Sequence, residues 1–275
     1  LIDKNKINYA VSSYKADKQK IIKLLKNKFR EERVKAIIRY TNTKDLSPSQ
    51  SLTLDLEFLV YRDKTYQIIE VSNPRSYKQR DEKRPAFDPL KVISIRLAKI
   101  LINLSETEKE ILDPFCGAGT ILQEALIMDL NAIGSDINIQ EAKQNLLWLG
   151  NKYKEKWKLI TCNATKISNQ LDSVDCVVTE PFLGPYIKGR LNQRDIEKII
   201  NVLNDLYEKT LKELSKIVRK KIVIIIPYFP VKGKVMKTNF DKFIRENNFK
   251  ICSPLKEVEI PIRYTHKDKK IKRLI

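Results

Sequence analysis

The sequence contains little glycine, histidine and cysteine. Its 275 residues include seven glycines, one histidine and four cysteines. The cysteines are far apart and form no Cys-x-x-Cys pair, so the composition argues against a structural zinc site or any other metal site. The single histidine, His266, lies near the C-terminus, which argues against histidine-based acid–base catalysis. We expect free core thiols in a reducing compartment at Cys116, Cys162, Cys176 and Cys252.

Long apolar runs and targeting signals are also missing. No stretch of about 18 apolar residues occurs, so a membrane span is not expected. The longest apolar run, Ile222–Pro227, is typical of a buried parallel strand. No secretory signal pattern is present, and we expect a cytoplasmic protein. Because the first residue is Leu1, we expect that an N-terminal segment is missing.

Positive charge, in contrast, is in excess. The chain has 53 Lys and Arg against 34 Asp and Glu, a formal net charge of +19. Such an excess attracts a polyanion, and phosphate contacts would make that binding strongly salt-dependent. A lysine-rich, AT-biased genome would produce the same composition, so charge alone leaves both explanations open.

Residues 1–87 and 88–275 differ in pattern. Residues 1–71 contain no glycine and mix helix and strand patterns, which indicates a small α+β module. Its predicted elements are a helix over Lys18–Phe29, a strand over Val34–Tyr40, a short helix from Ser47, and a hairpin of strands Leu56–Tyr61 and Thr65–Val71. Residues 72–87 are basic and polar, which predicts a linker that is either a solvated connector or a phosphate contact.

Strands and helices alternate regularly from residue 88 onward. This alternation predicts βαβ units and a parallel sheet. Strands are expected near 110–116, 131–137, 158–164, 175–180 and 221–228, and helices near 90–104, 119–129, 139–150, 192–216 and 239–247. A final pair, about 250–262 and 270–275, is predicted to form an antiparallel edge hairpin.

The strand ends carry the polar residues of a binding edge. After the first strand comes Asp113-Pro-Phe-Cys-Gly-Ala-Gly-Thr120, a turn whose glycines let a ligand approach the backbone and a helix N-terminus. Asp136 ends the second strand, where an acid can accept hydrogen bonds from a ribose diol. A third glycine and a P-loop lysine are both absent, which argues against a dinucleotide. Asn163, at the third strand end, either binds the adenine amine or stabilises its own turn.

The fourth strand end carries Glu180-Pro-Phe182. An exocyclic amine conjugated to a base is a poor nucleophile, and acceptors that hold its N–H groups direct its lone pair at the methyl donor. Glu180 and the backbone at Pro181 would provide those acceptors, and Phe182 would stack on the base. The tripeptide is similar to motif IV of amine-directed methyltransferases, usually Asp/Asn-Pro-Pro-Tyr/Phe, although Glu is one methylene longer than Asp and Leu183 stands where Gly is usual.

Several motifs together resemble the THUMP-domain tRNA guanine-N2 methyltransferases of the guanosine-10 type. Asp113–Thr120 is similar to motif I of the class I S-adenosylmethionine enzymes. Other matching segments are Arg80-Asp81, Arg84-Pro-Ala-Phe-Asp-Pro89, Leu97–Leu104, Ile133-Gly-Ser-Asp136 and Leu46-Ser-Pro-Ser-Gln50.

The resemblance implies an α/β fold with a Rossmann-like class I methyltransferase sheet of seven strands, mostly parallel, over 88–275. Residues 1–71 would be a partial THUMP-like, RNA-binding module. The implied cofactor is S-adenosyl-L-methionine, and the implied cofactor-binding residues are Asp113, Phe115, Gly117, Gly119, Thr120, Asp136, Ile137, Asn163 and Ala164.

The implied reaction is methylation of a guanine N2 amine in tRNA, with a base that unstacks to reach Phe182. Three alternatives stay open: rRNA guanine-N2 methylation, DNA amine methylation, and an RNA-binding homologue with weakened catalysis. A small activator subunit is left open as well.

Overall fold

A computed structural model describes residues 6–42, 45–88, 92–185, 192–231, 234–253, 261–264 and 272–275. The chain divides into two compact units, Leu1–Arg80 and Asp81–Ile275. Among the helices in the described part of the chain, none combines the length and apolar character that crossing a bilayer requires.

The first unit is built on a four-stranded sheet. Its elements are β1 (Lys6–Tyr14), α1 (Gln19–Glu31), β2 (Lys35–Ile38), α2 (Pro48–Ser51), β3 (Leu56–Tyr61) and β4 (Lys64–Gln67). The strand order is β2-β1-β3-β4, with β1 parallel to β2 and β3, and with β3 and β4 paired as an antiparallel hairpin. The predicted α+β pattern therefore describes this unit well.

Strand β1 is the one element of this sheet that we did not predict. It lies at the centre of the sheet, and its alternate residues Ile7, Tyr9 and Val11 are buried against Ile22 of α1 and Val60 of β3. Alternation of apolar and polar residues is the ordinary signal of a half-buried strand, and it is present over Ile7–Val11. The apolar and buried Ala10 departs from this alternation, which makes the strand harder to recognise.

The predicted linker over 72–87 contains a helix instead. Helix α3 spans Pro74–Glu82, and the division between the two units falls within it, after Arg80. Arg80 is buried and donates to the backbone oxygen of Ser76, and its guanidinium lies over the Tyr77 ring. The charge in this segment predicted either a solvated connector or a phosphate contact, but an arginine with partners can also be buried within a fold.

The second unit begins with a parallel α/β layout. Its elements are α4 (Ile95–Ser105), β5 (Glu110–Asp113), α5 (Thr120–Ile127), β6 (Asn131–Asp136), α6 (Gln140–Leu149), β7 (Trp157–Thr161), β8 (Val174–Thr179), α7 (Gln193–Ile217) and β9 (Val218–Ile224). Two short 3-10 turns follow α6 and β7, at Asn151–Lys156 and Ala164–Asn169. The strand order β7-β6-β5-β8-β9 is parallel throughout.

Both faces of this sheet are covered, and the central strands β5 and β8 are accordingly buried over nearly their whole length. Ile111 and Val178 pack with α4, α5 and α6, whereas the adjacent Leu112 and Val177 pack with the end of α7. Successive side chains of a strand point to opposite faces, so each strand joins two cores. The sheet is consequently fixed in register, and its carboxyl edge is a rigid platform.

The strand predicted over 221–228 is two strands in two sheets. β9 ends at Ile224, and β10 (Ile226–Val231) continues into an antiparallel sheet with β11 (Lys234–Lys237), β12 (Arg263–Tyr264) and β13 (Lys272–Leu274). α8 (Phe240–Glu246) follows β11. Within the described residues the parallel sheet thus has five strands, not seven, because the chain changes sheets at Ile225. Pro227 has no N–H to continue a parallel ladder.

The predicted C-terminal hairpin lies only partly in the described residues. β12 and β13 pair antiparallel, with Arg263 opposite Leu274, and β13 also pairs with β10. Residues 254–260 and 265–271, which include His266, are outside the description.

Candidate active site

The parallel topology brings three acidic residues to one edge of the second unit. Asp113 ends β5, Asp136 ends β6, and Glu180 directly follows β8. In the strand order, β5 lies between β6 and β8, so the three carboxylates occupy adjacent strand ends. Ligands of open α/β sheets bind outside the carboxyl ends of the strands.

The glycine turn between β5 and α5 requires its glycines. Gly117 and Gly119 have φ angles of +48° and +78°, a region that side chains with a Cβ enter only at a cost. A Cβ on Gly119 would also lie 3.3 Å from the Cβ of Ala142 in α6, whereas one on Gly117 would meet nothing within 4 Å. Gly119 therefore permits close packing of two helices, and Gly117 leaves open space beside the turn.

Asp136 holds the start of this turn in place. Its Oδ2 accepts a hydrogen bond from the backbone N–H of Gly117 at 2.9 Å, and its Oδ1 accepts one from Asn138 at 3.2 Å. A carboxylate oxygen can accept two hydrogen bonds, so each oxygen retains capacity for another donor. The acid is thus oriented by the backbone before any ligand binds.

Asp113 is a buried carboxyl group with two donors. Its Oδ1 accepts from the Thr179 hydroxyl at 2.6 Å and from the backbone N–H of Phe115 at 3.1 Å, and its residue is 2% exposed. Burial raises the pKa of Asp113 to about 7, the two hydrogen bonds oppose the rise, and the charges of Asp136 and Glu180 add to it. A carboxyl group with this pKa exchanges its proton near neutral pH.

A cavity at the sheet edge joins the glycine turn to the motif IV position. The lining residues are Val92, Ile93, Asp113, Phe115, Cys116, Gly117, Ala118, Thr120, Ile121 and Glu180. Five predicted site residues therefore meet around one space: Asp113, Phe115, Gly117, Thr120 and Glu180. The other predicted residues do not line this cavity within the described chain. The other lining residues are apolar or small: Val92, Ile93, Cys116, Ala118 and Ile121. We did not predict them, because the search along the sequence was for polar residues and glycines at strand ends.

The loop after β8 is held by a tyrosine of α7. The Tyr207 hydroxyl donates to the backbone oxygen of Phe182 at 2.7 Å, and Tyr207 itself is 1% exposed. Pro181 is buried, while the Phe182 ring is 49% exposed, and its predicted role of stacking on a base remains open. Gly184 has a φ of +108°, so the turn predicted one residue after Leu183 does need glycine.

The remaining predicted cofactor residues differ in their surroundings. Asn163 caps the following 3-10 turn: its Oδ1 accepts from the backbone N–H and the hydroxyl of Thr165, at 3.0 and 2.9 Å. The turn-stabilising alternative is therefore observed, and the adenine contact stays a prediction. Ala164 is buried, and Ile137 is 74% exposed next to Asp136, so the predicted cofactor roles of both residues remain open.

Two residues that sequence reasoning missed support the glycine turn. Asn145 of α6 is fully buried, and its side chain exchanges two hydrogen bonds with the backbone of Ala86 and donates a third to Ala118 of the turn. Arg84 is also buried, and its Nη1 donates to the Thr120 hydroxyl at 2.6 Å. The sequence identified Arg84 as part of the Arg-Pro-x-Phe junction. It did not predict that this arginine is buried against the glycine turn.

Comparison with known proteins gives the family. The model of UPF0020, an RMKL-like methyltransferase domain, matches residues 82–260, and a DNA methylase family model matches residues 2–146. A probable tRNA (guanine(10)-N2)-dimethyltransferase from Methanothermococcus thermolithotrophicus is 37% identical over 42% of this chain and 74% of its own length. The enzyme of that name from Methanocaldococcus jannaschii is 28% identical over 74% of this chain and 60% of its own. Among solved structures, TrmN from Thermus thermophilus has a TM-score of 0.46 at 12% identity, covering 98% of this chain and 70% of that one.

The extent of these matches defines what they establish. The chain spans 36% to 60% of the length of three curated tRNA (guanine(10)-N2)-dimethyltransferases. The UPF0020 match includes both the glycine turn and the Glu180 loop, whereas the DNA methylase match ends before that loop. The chain belongs to the UPF0020 family of RMKL-like methyltransferase domains.

Proposed function

We propose that this protein methylates the exocyclic N2 amine of a guanosine in tRNA, with S-adenosyl-L-methionine as the methyl donor. The observation that carries the proposal is that the Glu180 carboxylate lines the same cavity as the glycine turn. A methyl donor at the turn and an amine at Glu180 would then be neighbours. Curated relatives named tRNA (guanine(10)-N2)-dimethyltransferase support guanine in tRNA as the target.

The residues at the turn fit this cofactor. S-adenosylmethionine supplies a methyl group on a positively charged sulfonium sulfur. Asp136, oriented by two backbone donors, would accept hydrogen bonds from the ribose hydroxyls. Asp113 would accept one from the ammonium of the methionine moiety, and the open space beside Gly117 leaves room for the chain of that moiety.

The loop after β8 supplies groups for the target amine. Glu180 would accept a hydrogen bond from the amine and take its proton as the new N–C bond forms. The backbone oxygen at Pro181 would hold the second N–H group, and the exposed Phe182 ring would stack on the guanine. Because a base inside a helix cannot reach this loop, the target must unstack.

A DNA amine substrate is the second candidate, since the DNA methylase model matches residues 2–146. The net charge of +19 suits either nucleic acid. An activator subunit and a cytoplasmic location stay predictions.

The test is methyl transfer from labelled S-adenosylmethionine, followed by nucleoside mass spectrometry. We expect N2-methylguanosine or its dimethyl form from an unmodified tRNA transcript, and no product from duplex DNA. The matched substrate carries inosine at the modified position, because inosine lacks only the 2-amino group. Methylation of the inosine transcript at that nucleoside, or of duplex DNA alone, would refute the proposal.

Removing the Tyr207 hydroxyl tests how the loop is held. Tyr207→Phe should lower kcat about tenfold with little change in the KM for S-adenosylmethionine, because a displaced Phe182 backbone misaligns the amine but not the cofactor. The variant should also lose about 1 kcal/mol of unfolding free energy. Steady-state kinetics and urea denaturation measure the two effects.

Tyr9→Phe is the matched control. The Tyr9 hydroxyl is buried and, within the described residues, makes no hydrogen bond, so its removal should leave kcat unchanged and stability equal or higher. Equal losses of kcat in both variants would show that the effect is general destabilisation.

A further inference from the structure

Arg84 is buried at the glycine turn, and two of its guanidinium nitrogens have no hydrogen-bond acceptor among the described residues. Its residue is 3% exposed, and Nη1 donates to the hydroxyl of Thr120, the first residue of α5. Its Nε and Nη2 atoms are buried and make no hydrogen bond to any described residue. Buried guanidinium donors without acceptors are costly, so their retention calls for an explanation.

The two donors without acceptors form one edge of the guanidinium. Nε–H and one N–H of Nη2 point in parallel, at the spacing that matches the two oxygens of a carboxylate. The guanidinium also lies over the Phe87 ring, with Cζ 5.1 Å from the ring centroid. Arg84 therefore has a bidentate donor edge without acceptors and is bonded to the first residue of α5, where backbone N–H groups also favour an anion.

Nearby acids balance the charge of Arg84 without binding its donor edge. Burial lowers the pKa of Arg84, while the charges of Asp81 and Glu124 oppose that change. These carboxylates neutralise part of the positive charge but make no hydrogen bond to Nε or Nη2. The Nε and Nη2 donors consequently lack an acceptor among the described residues, and an oxyanion would supply one.

We propose that Arg84, together with Thr120, binds the carboxylate of the methionine moiety of S-adenosylmethionine. Thr120 lines the cavity that also contains Asp113 and Glu180, so Arg84 lies one hydrogen bond away from the cofactor space. An RNA phosphate does not suit this position, because a side chain that is 3% exposed is beyond the reach of a nucleic acid backbone. The inference rests on the cofactor part of the proposed function.

The experiment measures binding alone, by calorimetry at fixed pH, and needs no RNA. S-adenosylhomocysteine is compared with its decarboxylated analogue, which keeps the amine and the adenosine. Wild type should bind the decarboxylated analogue about 10- to 100-fold more weakly. Arg84→Gln should weaken S-adenosylhomocysteine by the same factor and leave the analogue within about twofold. Arg84→Lys should recover only part of the loss, because an ammonium cannot form the bidentate pair.

Arg80→Gln is the matched control, since it also removes a buried arginine but one that donates to Ser76. It should keep the full discrimination between the two ligands. Equal affinity of the wild-type protein for S-adenosylhomocysteine and for its decarboxylated analogue would overturn the inference. This comparison uses only the wild-type protein, so it does not depend on whether a variant folds. Equal weakening of both ligands in Arg84→Gln would overturn it too, by showing a purely structural role. Failure of wild type to bind S-adenosylhomocysteine at all would instead reject the cofactor assignment itself.

Discussion

Glu180→Gln should lower kcat for methyl transfer about 100- to 1,000-fold and leave the affinity for S-adenosylhomocysteine within about twofold. The amide of glutamine is a weaker acceptor for the N–H groups of the target amine and cannot take up its proton. The proposed cofactor residues Asp113, Gly117 and Thr120 line the same cavity as Glu180, and this substitution does not alter them. The split between a large loss of rate and a small change in binding identifies a role in chemistry.

The pH of this comparison matters, because Glu180 and Asp113 are coupled. The charge of Glu180 contributes to the raised pKa of Asp113, so its removal should lower that pKa. At pH 7 this would change cofactor binding indirectly. The affinities are therefore compared on the plateau of each protein's binding profile, above the pKa of Asp113 and below that of the ligand's α-amino group. Glu180→Asp is the companion variant, since it keeps the charge and shortens the side chain by one methylene. Wild-type turnover in Glu180→Gln would show that Glu180 has no role in the chemistry. Normal cofactor binding without turnover of the wild-type protein on any RNA would favour an RNA-binding homologue.

The strand-end residues could be predicted from the sequence because their signals are local. A strand, an acid, a glycine turn and a helix follow one another within Ile111–Met128, and the alternation of elements fixes which strand ends share an edge. Asp113, Phe115, Gly117, Thr120 and Glu180 accordingly meet at one cavity, as predicted. Their roles toward cofactor and base remain predictions that the experiments above address.

The supporting residues could not be predicted, because each acts through a partner far away in the sequence. The Arg84–Thr120 bond spans 36 residues, the Ala86–Asn145 bonds span 59, and the Tyr207–Phe182 bond spans 25. A basic, polar segment such as 72–87 has the composition of a linker whether or not its arginines are buried. Only the fold shows that Arg84 is buried and that the Thr120 hydroxyl accepts a hydrogen bond from its Nη1.

One difference in the fold, the change of sheets after β9, has an equally physical cause. Ile222–Pro227 is a continuous apolar run, and apolar content does not show where a strand leaves one sheet for another. The chain changes sheets at Ile225, whose N–H still donates to the Thr179 oxygen of β8. Pro227, the residue that cannot extend the parallel ladder, was visible in the sequence and marks this change.

Cofactor affinity should depend on pH through Asp113. Its carboxyl group is neutral below a pKa of about 7 in the ligand-free protein, and only the ionised form supplies a negative charge to pair with the ligand ammonium. The affinity for S-adenosylhomocysteine should therefore rise up to about tenfold per pH unit from pH 5.5 to 7 and then level off. At pH 7 about half of the ligand-free protein carries a proton on Asp113. Calorimetry in buffers of different ionisation enthalpy should therefore detect the release of about half a proton per ligand bound. The ligand's own α-amino group titrates near pH 8, above this window.

Asp113→Asn should remove this pH dependence, because its amide resembles the protonated carboxyl at every pH. Wild type and variant should bind equally near pH 5.5 and differ about 10- to 25-fold near pH 7.5, the ratio of the ionised fractions of Asp113 at the two pH values. Asp175→Asn is the control: this acid lies on β8 and pairs with Lys220, so its loss should leave the profile unchanged.

The same proton links Asp113 to stability, and the sign follows from its raised pKa. Between pH 4 and 7 the folded, ligand-free protein retains a proton that the unfolded chain has lost, since the ordinary value is 3.8. The contribution of Asp113 to the free energy of unfolding is thus fully present below pH 4 and is lost as pH rises through 7. Relative to Asp113→Asn, wild type should therefore become less stable across this window without ligand, and saturating S-adenosylhomocysteine should offset that loss. A wild-type profile parallel to that of Asp113→Asn, in binding and in unfolding alike, would mean that Asp113 is already ionised and that its proton plays no part in cofactor recognition.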